Sequence, residues 1–204
     1  LGTSALSANA SASNNTAVGY QAGYTTTTGS YSTSVGYQAH YSNTTGRNSA
    51  LGYVALRSNT TGTNNTAVGD SALYSTTTGN YNTALGQEAL QANTTASNNT
   101  AVGYQAGYTN VAAGAQVFVG YKAGYATTNG GGSSTFVGYE AGLSNTTGGN
   151  NTALGRGSFL DNTTGSNNVG LGYEALANNT TASSNTAVGY QALYLNTTGA
   201  ENVA

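Results

Sequence analysis

Seven side chains in this chain can do ordinary acid–base work: Asp70, Glu88, Glu140, Asp161, Glu174, Glu201 and His40. A catalytic His40 needs a partner within hydrogen-bond reach. Without one it is a tolerated surface substitution, and we read it so. Glu88, Glu140 and Glu174 occupy the same slot of a repeat described below. Glu140 and Glu174 fall two repeats apart, about 10 Å if each repeat forms one coil, a spacing that suits an inverting glycosidase pair. That slot usually holds Gln, so we read it as a solvated ladder position. Calcium-binding solenoids repeat an Asp at fixed slots in every turn, and no slot here does so. The absence of cysteine excludes zinc–thiolate sites. No G-x-x-x-x-G-K-[ST] phosphate loop occurs, and the G-x-G runs at 155–157 and 170–172 belong to the repeat. We therefore assign no catalytic, metal-binding or cofactor-binding residue and read the chain as a non-enzyme.

Two other groups of residues could take part in recognition or modification. Asn-Thr-Thr tracts at Asn43, Asn59, Asn93, Asn145, Asn162, Asn179 and Asn196 match the glycosylation sequon. The alternative reading is that Asn suits a turn and Thr the adjoining strand. Tyrosines recur at Tyr20, Tyr37, Tyr53, Tyr104, Tyr121, Tyr139, Tyr173 and Tyr190. Stacked, they stabilise; exposed, they offer a contact surface for sugars.

The elements that position these residues follow from a period. N-T-A-V-G-Y-Q-A appears at 15–22, 99–106 and 185–192. The glycines that follow Val or Leu stand at 2, 19, 36, 52, 69, 86, 103, 120, 138, 155, 172 and 189. They are 17 residues apart, except for one step of 16 after Gly36 and one of 18 after Gly120. With Asn15 as slot 1, the consensus is N-T-A-V-G-Y-Q-A-L-Y-x-N-T-T-G-x-N. Slot 4 is Val or Leu and slot 5 Gly throughout; slot 8 is Ala except at Ser158. The chain opens mid-pattern, at Leu1-Gly2, as a segment of a longer array would. We treat residues 1–204 as one domain.

Seventeen residues are too few for a helix pair. Thr, Val and Tyr favour strands, and Asn-Thr-Thr-Gly favours a turn with Gly or Asn at positive φ. One strand signal and one turn signal per short repeat predict an all-β fold, a parallel β-solenoid of about twelve coils. Slots 1 and 12 should form Asn ladders that share amide hydrogen bonds. Slots 2–6 alternate between two uncharged faces. We expect Val18, Val68, Val102 and Val188 in slot 4 to fill a thin core. Slot 3 Ala and the slot 5 glycines Gly19, Gly69, Gly103 and Gly189 should keep the other face flat, fit for close approach of a second backbone. Phe118 and Phe136 in slot 3 would mark packing on that face, and Ala22 would sit where only a small side chain fits.

Composition limits the partners. Charged residues are 5% and the formal net charge is −2, so no basic surface exists to hold nucleic acid. No apolar run approaches the roughly 20 residues of a membrane helix. A thin core leaves burial to be gained by lateral association, so self-association as a homotrimer or filament is expected.

The A-V-G-x-x-A slots, followed by a short turn and N-T-A-V-G, resemble the head repeats of trimeric autotransporter adhesins, whose pattern is S-V-A-I-G-x-x-S/A-x-A in slightly shorter coils. The longer NTAVGYQAL…NTTG form is similar to repeats of bacterial and phage tail-fibre-domain proteins. The resemblance covers the whole chain. It implies a left-handed parallel β-roll, three chains about one axis, and an exposed stalk or head on a cell surface or virion appendage. The chain departs from the pattern in coil length and in its Tyr-rich slots 6 and 10. The functional expectation is a rigid extracellular rod. Alternatives are an adhesive module for glycans or a host surface, carried by the tyrosines, and an ice-binding solenoid, carried by slot 2 and turn Thr.

Overall fold

The computed structural model describes residues 2–128 and 132–204; Leu1 and part of the insertion after Gly120 lie outside these. Eleven three-residue strands, from Thr16–Val18 to Thr186–Val188, stack in sequence order into one parallel sheet. The register is slot on slot: Thr16 pairs with Thr33, Ala17 with Ser34, Val18 with Val35, and so to the last pair. A further rung is only a bridge between Thr186 and Val203. The chain is therefore a parallel β-solenoid with one sheet strand per coil.

The coil turns at fixed slots. Slot 5 glycines take φ between 130 and 145°, a region that costs any L side chain dearly. Slots 7, 9 and 17 lie in the left-handed region whatever residue is present, including Gln38, Leu56, Leu73 and Tyr81. Each such residue costs roughly 1–2 kcal/mol when not Gly. Neighbouring coils hold the strained residues in place: Gln38 N–H donates to Tyr20 O, Leu56 N–H to Ala72 O, and Tyr81 N–H to Thr63 O. Strain within a coil is thus offset by bonds between coils, and no coil is built to stand alone.

The expected positive φ in the Asn-Thr-Thr-Gly turn is not found; slots 12 and 15 are absent from that region. The slot 12 side chain closes the turn instead. Asn43 Oδ1 accepts from Gly46 N–H at 3.0 Å, and Asn43 Nδ2 donates to Gly46 O at 3.0 Å. A side-chain amide that mimics backbone in this way removes the need for a left-handed residue.

The core is a narrow column, and its composition reverses the expected facing. The middle residue of each strand, slot 3, is buried, and the flanking slots 2 and 4 are not. Val18 is 44% and Val188 58% exposed, with Val68 and Val102 half-buried. They do not fill the core. Ala17, Ala67 and Ala101 do, with slot 8 Ala such as Ala22 and slot 9 Leu56, Leu73, Leu90 and Leu176. A three-residue strand turns only its centre inward, and that centre is a small residue in most coils. Phe118 and Phe136 are fully buried, not surface marks.

Their bulk is matched by glycine nearby. A Cβ on Gly124 would lie 2.2 Å from the Phe118 ring, and one on Gly142 2.5 Å from Phe136. The exchange also runs in reverse: Phe159 takes slot 9, and Gly170 takes slot 3 of the next coil, where a Cβ would lie 2.6 Å from its ring.

Asn lines the rest of the interior in two ladders. In slot 1, Asn65 Oδ1 accepts from Asn82 N–H at 2.9 Å while Asn65 Nδ2 donates to Gly79 O at 2.8 Å. In slot 12, Asn162 Nδ2 donates to Asn145 Oδ1 at 2.7 Å and Asn179 Nδ2 to Asn162 Oδ1 at 2.9 Å. Buried amides are tolerable because most of their polar atoms find partners; among the described residues Asn59 Oδ1, Asn99 Nδ2 and Asn185 Nδ2 are the amide exceptions. Threonine adds a third file: Thr44 Oγ1 donates to Thr60 O and Thr146 Oγ1 to Thr163 O.

Candidate functional site

Two surfaces follow from this geometry. One is the outer side of the sheet, where slot 2, slot 4 and slot 6 side chains stand in parallel files. Gly19, Gly69 and Gly103 separate slots 4 and 6, each stacked so closely that a Cβ would meet the next coil's carbonyl within 2.5 Å. A Cβ added to Gly189 would meet nothing within 4 Å, although Gly189 itself lies against Gly172 of the preceding coil. Among the files, only Asp70 and Arg156 carry charge. The slot 4 file at its centre is apolar, with the mostly Thr file of slot 2 on one side and the mostly Tyr file of slot 6 on the other.

The second surface is aromatic. Slot 6 rings stack in three runs: Tyr20–Tyr37–Tyr53, Tyr104–Tyr121–Tyr139 and Tyr173–Tyr190, with centroids 4.9 to 5.4 Å apart. A parallel column in slot 10 pairs Tyr24 with Tyr41 and Tyr108 with Tyr125. Arginine enters both columns as a flat cation, the geometry of cation–π contact. The Arg156 guanidinium lies 5.6 Å from the Tyr139 ring and 5.5 Å from Tyr173. Arg57 lies between Tyr41 and Tyr74, and its Nε donates to Gln38 Oε1 at 2.9 Å. Between the two columns runs an open groove of about 530 Å³, walled by Tyr37 and Tyr53 and by Arg57, Tyr74 and Gln91.

Compared with protein-family models, with curated proteins and with solved structures, the chain matches none.

The slot 7 acids sit in a surface ladder. Gln105 Nε2 donates to Glu88 Oε2 at 2.6 Å, and Gln191 Nε2 to Glu174 Oε2 at 2.8 Å. The Gln191 amide, and then the Tyr173 hydroxyl, hold the Glu174 carboxyl below its ordinary range. The same bond to Glu174 pushes the Tyr173 hydroxyl up. Gly157 occupies slot 7 between Glu140 and Glu174. No group of three metal-ligating side chains comes together among the described residues.

His40 is not on the surface. It is fully buried in slot 9, among residues that are Leu or Gly in most coils. Asn48 Nδ2 lies 3.1 Å from its Nε2, and Ser34 Oγ 3.4 Å from its Nδ1. Asn48 Oδ1 already accepts from Asn65 N–H, so its Nδ2 is the donor and Nε2 the acceptor. The ring is then neutral, with its proton on Nδ1 facing Ser34. Burial pushes its pKa down to about 3. A signal was present in the sequence: Ser34 is the only Ser in slot 3, and it falls in the same coil as His40.

The sequon asparagines are equally enclosed. Asn43, Asn59, Asn93, Asn145, Asn162 and Asn179 are fully buried in the slot 12 ladder. Their Nδ2 atoms, the ones a glycan would occupy, point inward, and only Asn196 is partly open. The folded array expressed in a glycosylating host is expected to carry no glycan at the six buried sites. Intact mass followed by peptide mapping checks this, and a glycan on Asn145 or Asn162 would contradict the ladder.

Proposed function

We propose that this chain is a structural rod, a segment of an extracellular appendage such as a surface filament, adhesin stalk or tail fibre. One observation carries the reading: eleven strands in a single unbroken register, with strained corners that only a neighbouring coil stabilises. Stability in such an array is the sum of repeat and nearest-neighbour terms, so length is adjustable in units of one coil. Chemistry at one place is not what a uniform array provides; stiffness and reach are.

The flat outer face of slots 2 and 4 supports self-association, with a homotrimer or filament as the expected form. Its eleven rungs cover about 50 Å by about 13 Å, so a pair of such faces would bury roughly 1,300 Å², within the range of stable interfaces. The ice-binding alternative is weaker. It needs ranked Thr in two files, whereas slot 2 gives one and slot 13 hydroxyls are bonded to carbonyls.

Removal of residues 65–81, one full repeat, tests the reading. The chain should keep its β circular dichroism and a cooperative melt while shortening by about 4.8 Å in small-angle scattering. Loss of folding would sink the modular rod. Sedimentation of the same pair of proteins tests association, and a monomer at micromolar concentration would count against it.

A further inference from the structure

The coil of residues 32–47 is one residue short, and its bonds show which residue is missing. In neighbouring coils the slot 17 N–H donates to the slot 16 carbonyl of the coil before, as Tyr81 does to Thr63 and Asn98 to Asn80. Asn64 N–H donates in the same way to Arg47 O. Arg47 therefore holds slot 16, and slot 17 is absent between Arg47 and Asn48. Tyr31 and Asn64, the slot 17 residues on either side, have left-handed φ of 62 and 58°, which Arg47 does not share. A notch of about 250 Å³ stands at this place. Tyr31 and Asn64 wall it, Arg47 lies on its rim, and Ser49 and Thr66 line it on the side of the sheet.

Three substitutions meet around the missing residue. Ser49 is the only Ser in slot 2, where Thr is usual, and the lost methyl widens the notch. Tyr31 is 64% exposed, in a slot where Asn is commonest and in a conformation that disfavours a bulky side chain. Arg47 is the one cation in slots 16 to 4 of the whole array, and the one acid there, Glu201, lies in the last coil. The notch is therefore positive. The amides beneath it are committed: Asn48 Nδ2 donates to Gly62 O and Asn65 Nδ2 to Gly79 O. The groups around its mouth are not. Arg47 makes one long bond, from a terminal nitrogen to Asn64 Oδ1 at 3.5 Å, which leaves most of its donors free. Ser49 and Thr66 are exposed and offer hydroxyls.

We propose that the notch binds one uronic-acid residue at the end of an acidic polysaccharide, in the place of the missing side chain. The carboxylate pairs with Arg47, since a guanidinium meets a carboxylate through two parallel hydrogen bonds. One C–H face of the sugar lies against Tyr31, and its hydroxyls meet Ser49, Asn64 and Thr66. The volume is below the roughly 300–1,000 Å³ of sites for drug-sized ligands, so it takes a single ring, and the rest of the glycan leaves into solvent. A rod needs no shortened coil, so the proposal goes beyond the structural reading and does not depend on it.

Heteronuclear NMR titration of the 204-residue chain with methyl α-galacturonoside and methyl β-glucuronoside tests it. Methyl α-galactoside serves as the neutral counterpart and acetate as a carboxylate without a ring. At least one uronoside should saturate at millimolar concentration, shift the backbone amides of Arg47, Ser49 and Asn64, and bind about tenfold or more tightly than galactoside and acetate. Insertion of Asn between Arg47 and Asn48 restores a 17-residue coil and fills the notch. It should abolish binding with the melting midpoint unchanged or raised. If that variant does not fold, two substitutions take its place. Arg47→Gln should weaken binding about tenfold or more, and Tyr31→Asn, which restores the commonest slot 17 residue, about threefold or more. Unaltered affinity in either overturns the proposal. So do the absence of saturable binding to both uronosides, equally tight binding of galactoside or acetate, or retained binding in a folded chain with the coil restored.

Discussion

Gly103→Ala is expected to unfold the middle of the rod. Gly103 has φ of 132°, and a Cβ there would lie 2.4 Å from the Gly120 carbonyl oxygen and 2.7 Å from its carbon. Both atoms are backbone, and both belong to a coil fixed by its own neighbours. The dihedral alone costs on the order of 1–3 kcal/mol. The contact adds to it, because coils must separate along the hydrogen-bonded sheet to relieve it. The total should exceed about 4 kcal/mol, the range reached only by named disruptive mechanisms. Gly189→Ala separates the two causes. Gly189 has nearly the same φ, 133°, but no atom within 4 Å of the added carbon. It should show the dihedral cost alone. Urea unfolding of both variants gives the comparison, and equal losses would refute the steric part.

The buried imidazole predicts a second large effect, an acid lability that belongs to one residue. His40 is held neutral in the fold with its pKa near 3, whereas in the unfolded chain it titrates at its ordinary 6.5. As pH falls below about 6.5, the unfolded state takes up a proton and the folded state does not. Stability is therefore full above 6.5 and declines toward pH 3, by up to about 1.4 kcal/mol per unit. Between about pH 7.5 and about pH 4 the loss assigned to His40 should be about 3 kcal/mol. Carboxylates such as Glu174, which is shifted down in the fold, also lose stability on acidification, so the slope of one protein is not enough. The double variant Ser34→Ala, His40→Leu restores the common residues of slots 3 and 9 and leaves every acid in place. The difference in urea midpoints between the two proteins, followed against pH, isolates the imidazole. Parallel slopes would show that His40 titrates freely.

The period, the parallel stacking and the slot-on-slot register were legible because they depend on spacing, which survives substitution. Facing was not. Slots 2 to 6 carry no charge on either side of the strand, so polarity gives no sign of which side is in. Size would have given it: slot 3 holds Ala in most coils and slot 4 Val or Leu, and the slot 9 Leu already take the interior space that a second large file would need. The Asn ladders were expected from the pattern, yet their depth was not, since buried amides become acceptable only when identical residues stack above and below. His40 was misplaced by the same habit of treating a polar residue as exposed. The positive φ at slots 7 and 9 left no mark, because Gln, Glu and Leu there are set by the coil and not by local preference.

Near-identical rungs carry a hazard that the exceptional coils remove. A chain whose repeats are interchangeable could pair a strand with the wrong neighbour, one coil out of step, at small cost. Two of the phenylalanines make such an error costly. Phe118 lies against Gly124 and Gly107, and Phe159 against Gly170; one coil out of step, Phe118 would meet Leu90 and Phe159 the slot 3 Ala187 instead. The buried Ser34–His40 pair adds a polar mark of the same kind. These irregularities act as index points along an otherwise uniform scale, so that the finished length is the one the sequence encodes.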